Sequence, residues 1–177
     1  MNPIHIAHWG TAVTTPKVTK EKATIRLLTE VENKSGEVSE VKLSSVILDQ
    51  KGNEVAKAES SQRIAAGAMQ EFDQQFVVAN PLLWSPDSPD LYQVVSTVQA
   101  GGKTLDTYTT PLGIRTCEFT ADRGFLLNGE RVDIKGVCLH HDCGALGTAI
   151  SHRALQRQLE ILREMGCNAI RTSHNPR

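Results

Sequence analysis

The sequence predicts a mainly β protein: an Ig-like antiparallel β-sandwich followed by a βαβ unit. Three observations predict it. Apolar and polar residues alternate through the first two-thirds of the 177-residue chain, which is the period of half-buried strands. Turn signals punctuate that stretch at short intervals, and no part of it carries a 3.6-residue rhythm. After Pro111 the rhythm changes to a hairpin, an apolar run, an amphipathic helix and a second apolar run. About seven strands in about 100 residues is the size of an Ig-like sandwich. The Cys…Trp…Cys pattern of an antibody domain is absent.

The elements follow in order. "ATIRLLTEVENKSGE" sets Ala23, Ile25, Leu27, Thr29 and Val31 on one strand face, and Asn33-Lys34-Ser35-Gly36 closes it. "VKLSSVILD" is the next strand, ending in the turn "DQKGN". "QEFDQQFVVAN" sets Phe72, Gln74, Phe76 and Val78 on one side. "DLYQVVSTVQ" and "TLDTYTTPL" flank Gly101-Gly102, a two-residue hairpin signal. Trp84 in "PLLWSP" reads as a core or domain-junction aromatic. "FLLNGERVDIKGV" is a hairpin around Asn128-Gly129, and "VDIKGVCLH" runs apolar enough for a buried strand. The Gly-rich "HDCGALGTAI" is a loop. Ser151 is placed to cap "HRALQRQLEILREMG", whose Leu155, Leu159 and Leu162 form an apolar stripe with Ile161 and Met165, and Gly166 is placed to end it. "NAIRTSH" supplies the second strand of a parallel βαβ unit.

Composition narrows the function. Hydrophobic content is 40%, charged content 22%, and formal net charge −1. Such a balance offers no basic field for nucleic acid or an anionic membrane. No apolar run reaches the roughly 18 residues of a membrane span. The start, "MNPIHIAHWG", lacks the features of a signal peptide. A soluble protein is expected, cytoplasmic, or periplasmic or secreted where a leader precedes these residues. Cys117, Cys138, Cys143 and Cys167 form no C-x-x-C pair and read as free thiols. Asn33-Lys34-Ser35 matches a glycosylation sequon, and equally a turn.

The chemistry gathers at the strand ends. In α/β folds, working side chains sit at the carboxyl ends of strands. The first strand of the βαβ unit ends in His140, His141 and Asp142; the second ends in Arg171, His174 and Asn175. Arg171 offers a planar fork of donors for a carboxylate. His140 and His174 donate or accept near neutral pH, and Asp142 and Asn175 add acceptors and donors. Groups that read hydroxyls suit a sugar. Glycosidic cleavage needs a pair of carboxylates, and the rim shows only Asp142; Glu160 and Glu164 read as solvated helix surface. Singly, Arg171 reads as a salt-bridge residue and His141 as a packing or loop histidine. A metal site on His140, His141, Asp142, Cys143 and His174 is a lesser reading, since adjacent strand histidines face opposite ways.

"GVCLHHDCGALG" and "LREMGCNAIRTSHNP" resemble glycoside hydrolase family 2, in particular its β-galactosidases. "NPLLWSPDSPDLY" and "GIRTCEFTADRGFLLNGERVDIKGV" resemble the same family's passage from its central domain into its catalytic barrel. The likeness runs from about Val13 to the end. It implies that residues 1–11 are the remnant of a preceding jelly-roll sugar-binding domain, 12–115 the Ig-like domain, and 116–177 the truncated start of a (β/α)₈ TIM barrel. It implies substrate-binding roles for His140, Asp142, Arg171, His174 and Asn175, with Arg171 beside the nucleophilic carboxylate. Both reacting glutamates, and any acidic ligands for Mg or Na, would then lie beyond Arg177, so that no catalytic residue, metal site or cofactor is expected within the chain itself.

The resulting expectation is part of a retaining glycosidase acting on terminal β-D-galactosides, inactive by itself. A β-glucuronidase or β-mannosidase of the same family is an alternative, as is a non-catalytic Ig-like interaction module. The expected partner is carbohydrate, neither nucleic acid nor membrane, with self-association through the incomplete barrel.

Overall fold

The computed structural model describes residues 2–140 and 142–173. Two compact units emerge. The first runs to Cys117 and adds Leu127–Gly129; the second takes Glu118–Leu126 and the chain from Glu130 on.

The first unit is a sandwich of two antiparallel sheets. Strands β1 (Ile4–Val18), β2 (Lys22–Asn33) and β5 (Met69–Ala79) form one sheet in the order β1-β2-β5. Strands β3 (Ser39–Leu48), β4 (Glu54–Ile64), β6 (Tyr92–Ala100) and β7 (Lys103–Leu112) form the other in the order β4-β3-β6-β7. The alternation dictates which residues go inside. Ala23, Ile25, Leu27, Thr29 and Val31 are buried on β2, as are Phe72, Gln74, Phe76 and Val78 on β5. Val41, Leu43, Ser45 and Ile47 face them from β3, and Tyr92, Val94, Ser96 and Val98 from β6. The apolar members form two clusters, one around Ile25, Leu27, Phe76 and Val94, the other around Val31, Leu43, Phe72 and Val98.

Turn chemistry closes the strands as the sequence predicts. Gly101 and Gly102 take φ of 57° and 75°, the double positive φ of a type I′ hairpin between β6 and β7. The sequon at Asn33 is a turn. Asn33 is fully buried, and its Nδ2 donates to the carbonyls of Glu37 (2.8 Å) and Ile64 (3.1 Å), while its Oδ1 accepts from the Ser35 amide and hydroxyl. Both amide hydrogens are therefore committed inside the fold.

Residues 1–11 are read from the sequence as the end of a preceding domain. In the structure, residues 4–11 are the first half of β1, and Ile4 and Ile6 pack in the second core cluster with Val31 and Val41. Between Ile6 and Thr11 the register with β2 slips in a bulge. There Trp9 adopts φ 57° and stands 81% exposed, stacked on His8. Gly10 permits this bulge, because a Cβ there would lie 2.8 Å from the Ala7 carbonyl oxygen.

Trp84 lies in the connection between β5 and β6, against the segment that follows β7. Its amide donates to the Ile114 carbonyl (2.9 Å), and the Arg115 guanidinium lies 4.6 Å from its ring centroid. Asn128, at the tip of the following hairpin, bonds to the same stretch. Its Oδ1 accepts from the Thr116 amide (3.0 Å) and its Nδ2 donates to the Trp84 carbonyl (3.0 Å). The tip 127–129 thus belongs to the first unit.

The second unit holds β8 (Cys117–Thr120), β9 (Gly124–Leu127) and β10 (Glu130–Arg131) in a three-stranded sheet. Next come β11 (Gly136–Leu139), helix α1 (His152–Glu164) and β12 (Ala169–Thr172), with β11 and β12 parallel. Ser151 caps α1, its side chain accepting from the Ala154 amide (3.2 Å), and Gly166 follows the helix at φ 86°. All four cysteines are free. No helix among the described residues is long and apolar enough to cross a membrane.

Candidate functional site

The parallel pair β11–β12 builds the candidate site. Its register aligns Gly136 with Ala169, Val137 with Ile170, Cys138 with Arg171 and Leu139 with Thr172. Two features set that register. Asn168 ties the strand starts together: its Oδ1 accepts from the Lys135 amide (2.8 Å) and its Nδ2 donates to the Asp133 carbonyl (3.0 Å). Gly136 lets the backbones approach, since a Cβ there would lie 2.7 Å from the Ala169 carbonyl oxygen. At the other end the Ser173 amide donates to the Leu139 carbonyl (3.0 Å), so pairing continues to the rim.

Arg171 shares a strand face with Cys138. Its Nη1 lies 3.7 Å from Cys138 Sγ and 3.4 Å from Ser173 Oγ. Ser173 is buried, while Arg171 is exposed. Among the described residues the guanidinium forms no ion pair with a carboxylate. His140 follows Leu139 directly, so the register brings its strand end beside that of Arg171. Asp142 has local partners. Its Oδ1 accepts from the Gly144 amide (2.9 Å), and its own amide donates to the His140 carbonyl (2.9 Å). That bonding braces the short 3₁₀ turn at Gly144–Leu146. His141, His174 and Asn175 lie outside the described residues.

Cys138, Ser173, Asn168 and Gly136 were not legible as site residues. The contact of Cys138 with Arg171 exists only through the strand register, whereas Ser173 meets Arg171 from two residues along the same segment. Asn168 carried a signal, a polar amide opening an otherwise apolar strand. Glu160 is surface as expected: it pairs with Arg153 (3.0 Å), which with Gln156 holds its carboxyl below the usual range. Among the described residues no three His, Cys, Asp or Glu side chains come together as a metal site. The rim can orient an anionic group and read hydroxyls; bond cleavage needs paired carboxylates in addition.

Comparison with known proteins matches the same two parts. Residues 4–115 match the description "Glycosyl hydrolases family 2", and residues 120–177 match "Glycosyl hydrolases family 2, TIM barrel domain". The chain belongs to glycosyl hydrolase family 2. Within this family it is 47% identical over 174 residues to the beta-galactosidase BoGH2A of Bacteroides ovatus, covering 98% of this chain and 20% of that protein. It is 30% identical over 184 residues to a beta-glucuronidase of Formosa agariphila, covering 98% of this chain and 19% of that protein. A crystal structure of a family 2 member from Bacteroides cellulosilyticus superposes with TM-score 0.93 at 39% identity, covering 99% of this chain and 23% of that one. The chain thus spans about a fifth of the length of the curated relatives it matches. The fold is a β-sandwich followed by the start of a TIM-barrel domain.

Proposed function

We propose that this chain supplies the central sandwich and the first sugar-contacting rim of a retaining β-galactosidase, whose two reacting glutamates come from residues outside it. The observation that carries the reading is the parallel register that sets the strand ends of Arg171 and His140 side by side. The 47% identity to the Bacteroides ovatus beta-galactosidase supports a galactoside over a glucuronide or mannoside.

On this reading Arg171 stands beside the nucleophilic carboxylate. A nearby cation keeps a carboxylate ionised and oriented. One glutamate attacks the anomeric carbon while the other protonates the leaving oxygen. His140 and His174 contact hydroxyls, some more tightly at the oxocarbenium-like transition state. Asn175 and Asp142 add an amide and a carboxylate to the same substrate-binding rim, and Asp142 also braces the loop after β11. Any Mg or Na would be held by residues outside the chain.

The test uses a longer polypeptide that includes this sequence, assayed on nitrophenyl β-galactoside, β-glucuronide and β-mannoside. The galactoside is hydrolysed best, and Arg171→Lys lowers kcat/KM about 100-fold or more, the scale of a misplaced catalytic geometry. Best activity on the glucuronide would replace the galactoside reading. Absence of hydrolysis would favour the non-catalytic module.

The exposed stripe of α1 supports self-association of the isolated chain. No residue of α1 is buried, and Leu159, Ile161 and Met165 are exposed. Sedimentation velocity over a wide concentration range is expected to show oligomers. A monodisperse monomer throughout would remove this part of the proposal.

A further inference from the structure

The core of the sandwich is divided at its waist by a polar layer. On each of the four inward-facing central strands, one polar residue separates the two apolar clusters. Thr29 lies between Leu27 and Val31, Ser45 between Leu43 and Ile47, Gln74 between Phe72 and Phe76, and Ser96 between Val94 and Val98. All four are buried: Thr29, Ser45 and Ser96 are 0% exposed and Gln74 is 3%. Burying such groups is costly unless each finds a partner.

Part of the layer is satisfied. Ser45 Oγ and Ser96 Oγ lie 3.1 Å apart, and Gln74 Nε2 donates to Leu43 O (3.2 Å) and Ser60 Oγ (2.9 Å). Those two bonds also fix the amide orientation, since reversing it would aim Oε1 at the Leu43 carbonyl. Thr29 Oγ1 and Gln74 Oε1 then stand without a hydrogen-bond partner among the described residues. Register pairs Leu27 with Gln74 and Thr29 with Phe72, so Thr29 and Gln74 are diagonal neighbours on one face. Such neighbours have backbones about 7–8 Å apart, with their side chains still within reach of each other. Ser45, Ser96 and Thr29 carry shorter side chains at this level than the Leu, Ile and Phe of the clusters on either side.

We propose that the waist is an internal solvent site: one ordered water donates to Gln74 Oε1 and accepts from the Thr29 hydroxyl. Water supplies both the donor and the acceptor that this pair requires. A cation does not fit, because the layer holds no carboxylate to offset a buried charge.

The experiment is a high-resolution crystal structure of the 177-residue chain, paired with NMR magnetisation transfer from water. The expected result is one density peak within hydrogen-bond distance of both oxygens and water cross-peaks to Thr29. The cross-peaks vanish in Thr29→Val, whose Tm falls by several degrees, and persist in Thr29→Ser. A direct bond between Thr29 and Gln74 with no density between them, a peak with cation coordination, or a Thr29→Val variant of unchanged or higher Tm would overturn the proposal.

Discussion

At the scale of single residues, side-chain amides and carboxylates decide how the surface and turns of the sandwich behave. Asn33 holds the β2–β3 turn from inside, with four hydrogen bonds through one side chain. Asn33→Ala leaves buried carbonyls unpaired and is expected to lower stability by about 1–3 kcal/mol; urea unfolding measures it, and a change within error would contradict the assignment. Expression through a glycosylating secretory route is expected to leave Asn33 unmodified, read by intact mass. Glu59 is the most perturbed acid. Lys42 (2.7 Å) and Lys57 (2.8 Å) hold its carboxyl from 4.5 down to about 2. A depressed carboxyl contributes stability above its unfolded pKa and loses it as pH falls through the folded value. The Tm difference between the native chain and Glu59→Gln is therefore expected to be present at pH 5–7 and to vanish by about pH 2. Exposure and salt keep it small at neutral pH, and a difference that grew toward pH 2 would be the wrong sign. Arg171 shows where sequence reading stops at this scale. Its identity and strand-end position were legible from "NAIRTSH", but its contact with Cys138 was not, because it depends on which residue of β11 faces it.

At the scale of elements, local chemistry and period were enough to locate most of the structure. The period-2 faces of β2, β3, β5 and β6 were legible because both sheets bury one side only. The Gly101-Gly102 and Asn128-Gly129 turns were legible because type I′ geometry demands positive φ, observed at all four residues. Helix α1 was bounded by Ser151 and Gly166 for equally local reasons. What no local signal carried was the bulge at His8–Trp9, which merges residues 4–11 into β1, and the return of 127–129 to the first unit through Asn128. Both depend on contacts between residues far apart in sequence. Ser151→Ala removes the side-chain acceptor of the Ala154 amide at the α1 N-terminus and is expected to cost about 1 kcal/mol of local helix stability. Hydrogen exchange of the amides in 152–164 reads this directly. Unchanged exchange would show that α1 is held by something other than its cap.

At the scale of the whole molecule, the two units differ in what they bury. The sandwich has a two-cluster core closed by hydrogen-bonded sheets on both sides, whereas no residue of α1 is fully buried and β11–β12 is a two-stranded sheet. Two-stranded sheets are marginal in water. Amides of β11, α1 and β12 are expected to exchange faster than those of β2, β3 and β6, and equal protection would contradict this division. Cleavage of a glycosidic bond asks for two carboxylates held a few ångströms apart. The most direct test is a turnover assay of the purified 177-residue chain on nitrophenyl β-D-galactoside. No hydrolysis above buffer is expected at any pH from 4 to 9. Hydrolysis that co-purifies with the chain and disappears in Arg171→Ala would contradict the account, because the reacting groups would then have to lie within these residues.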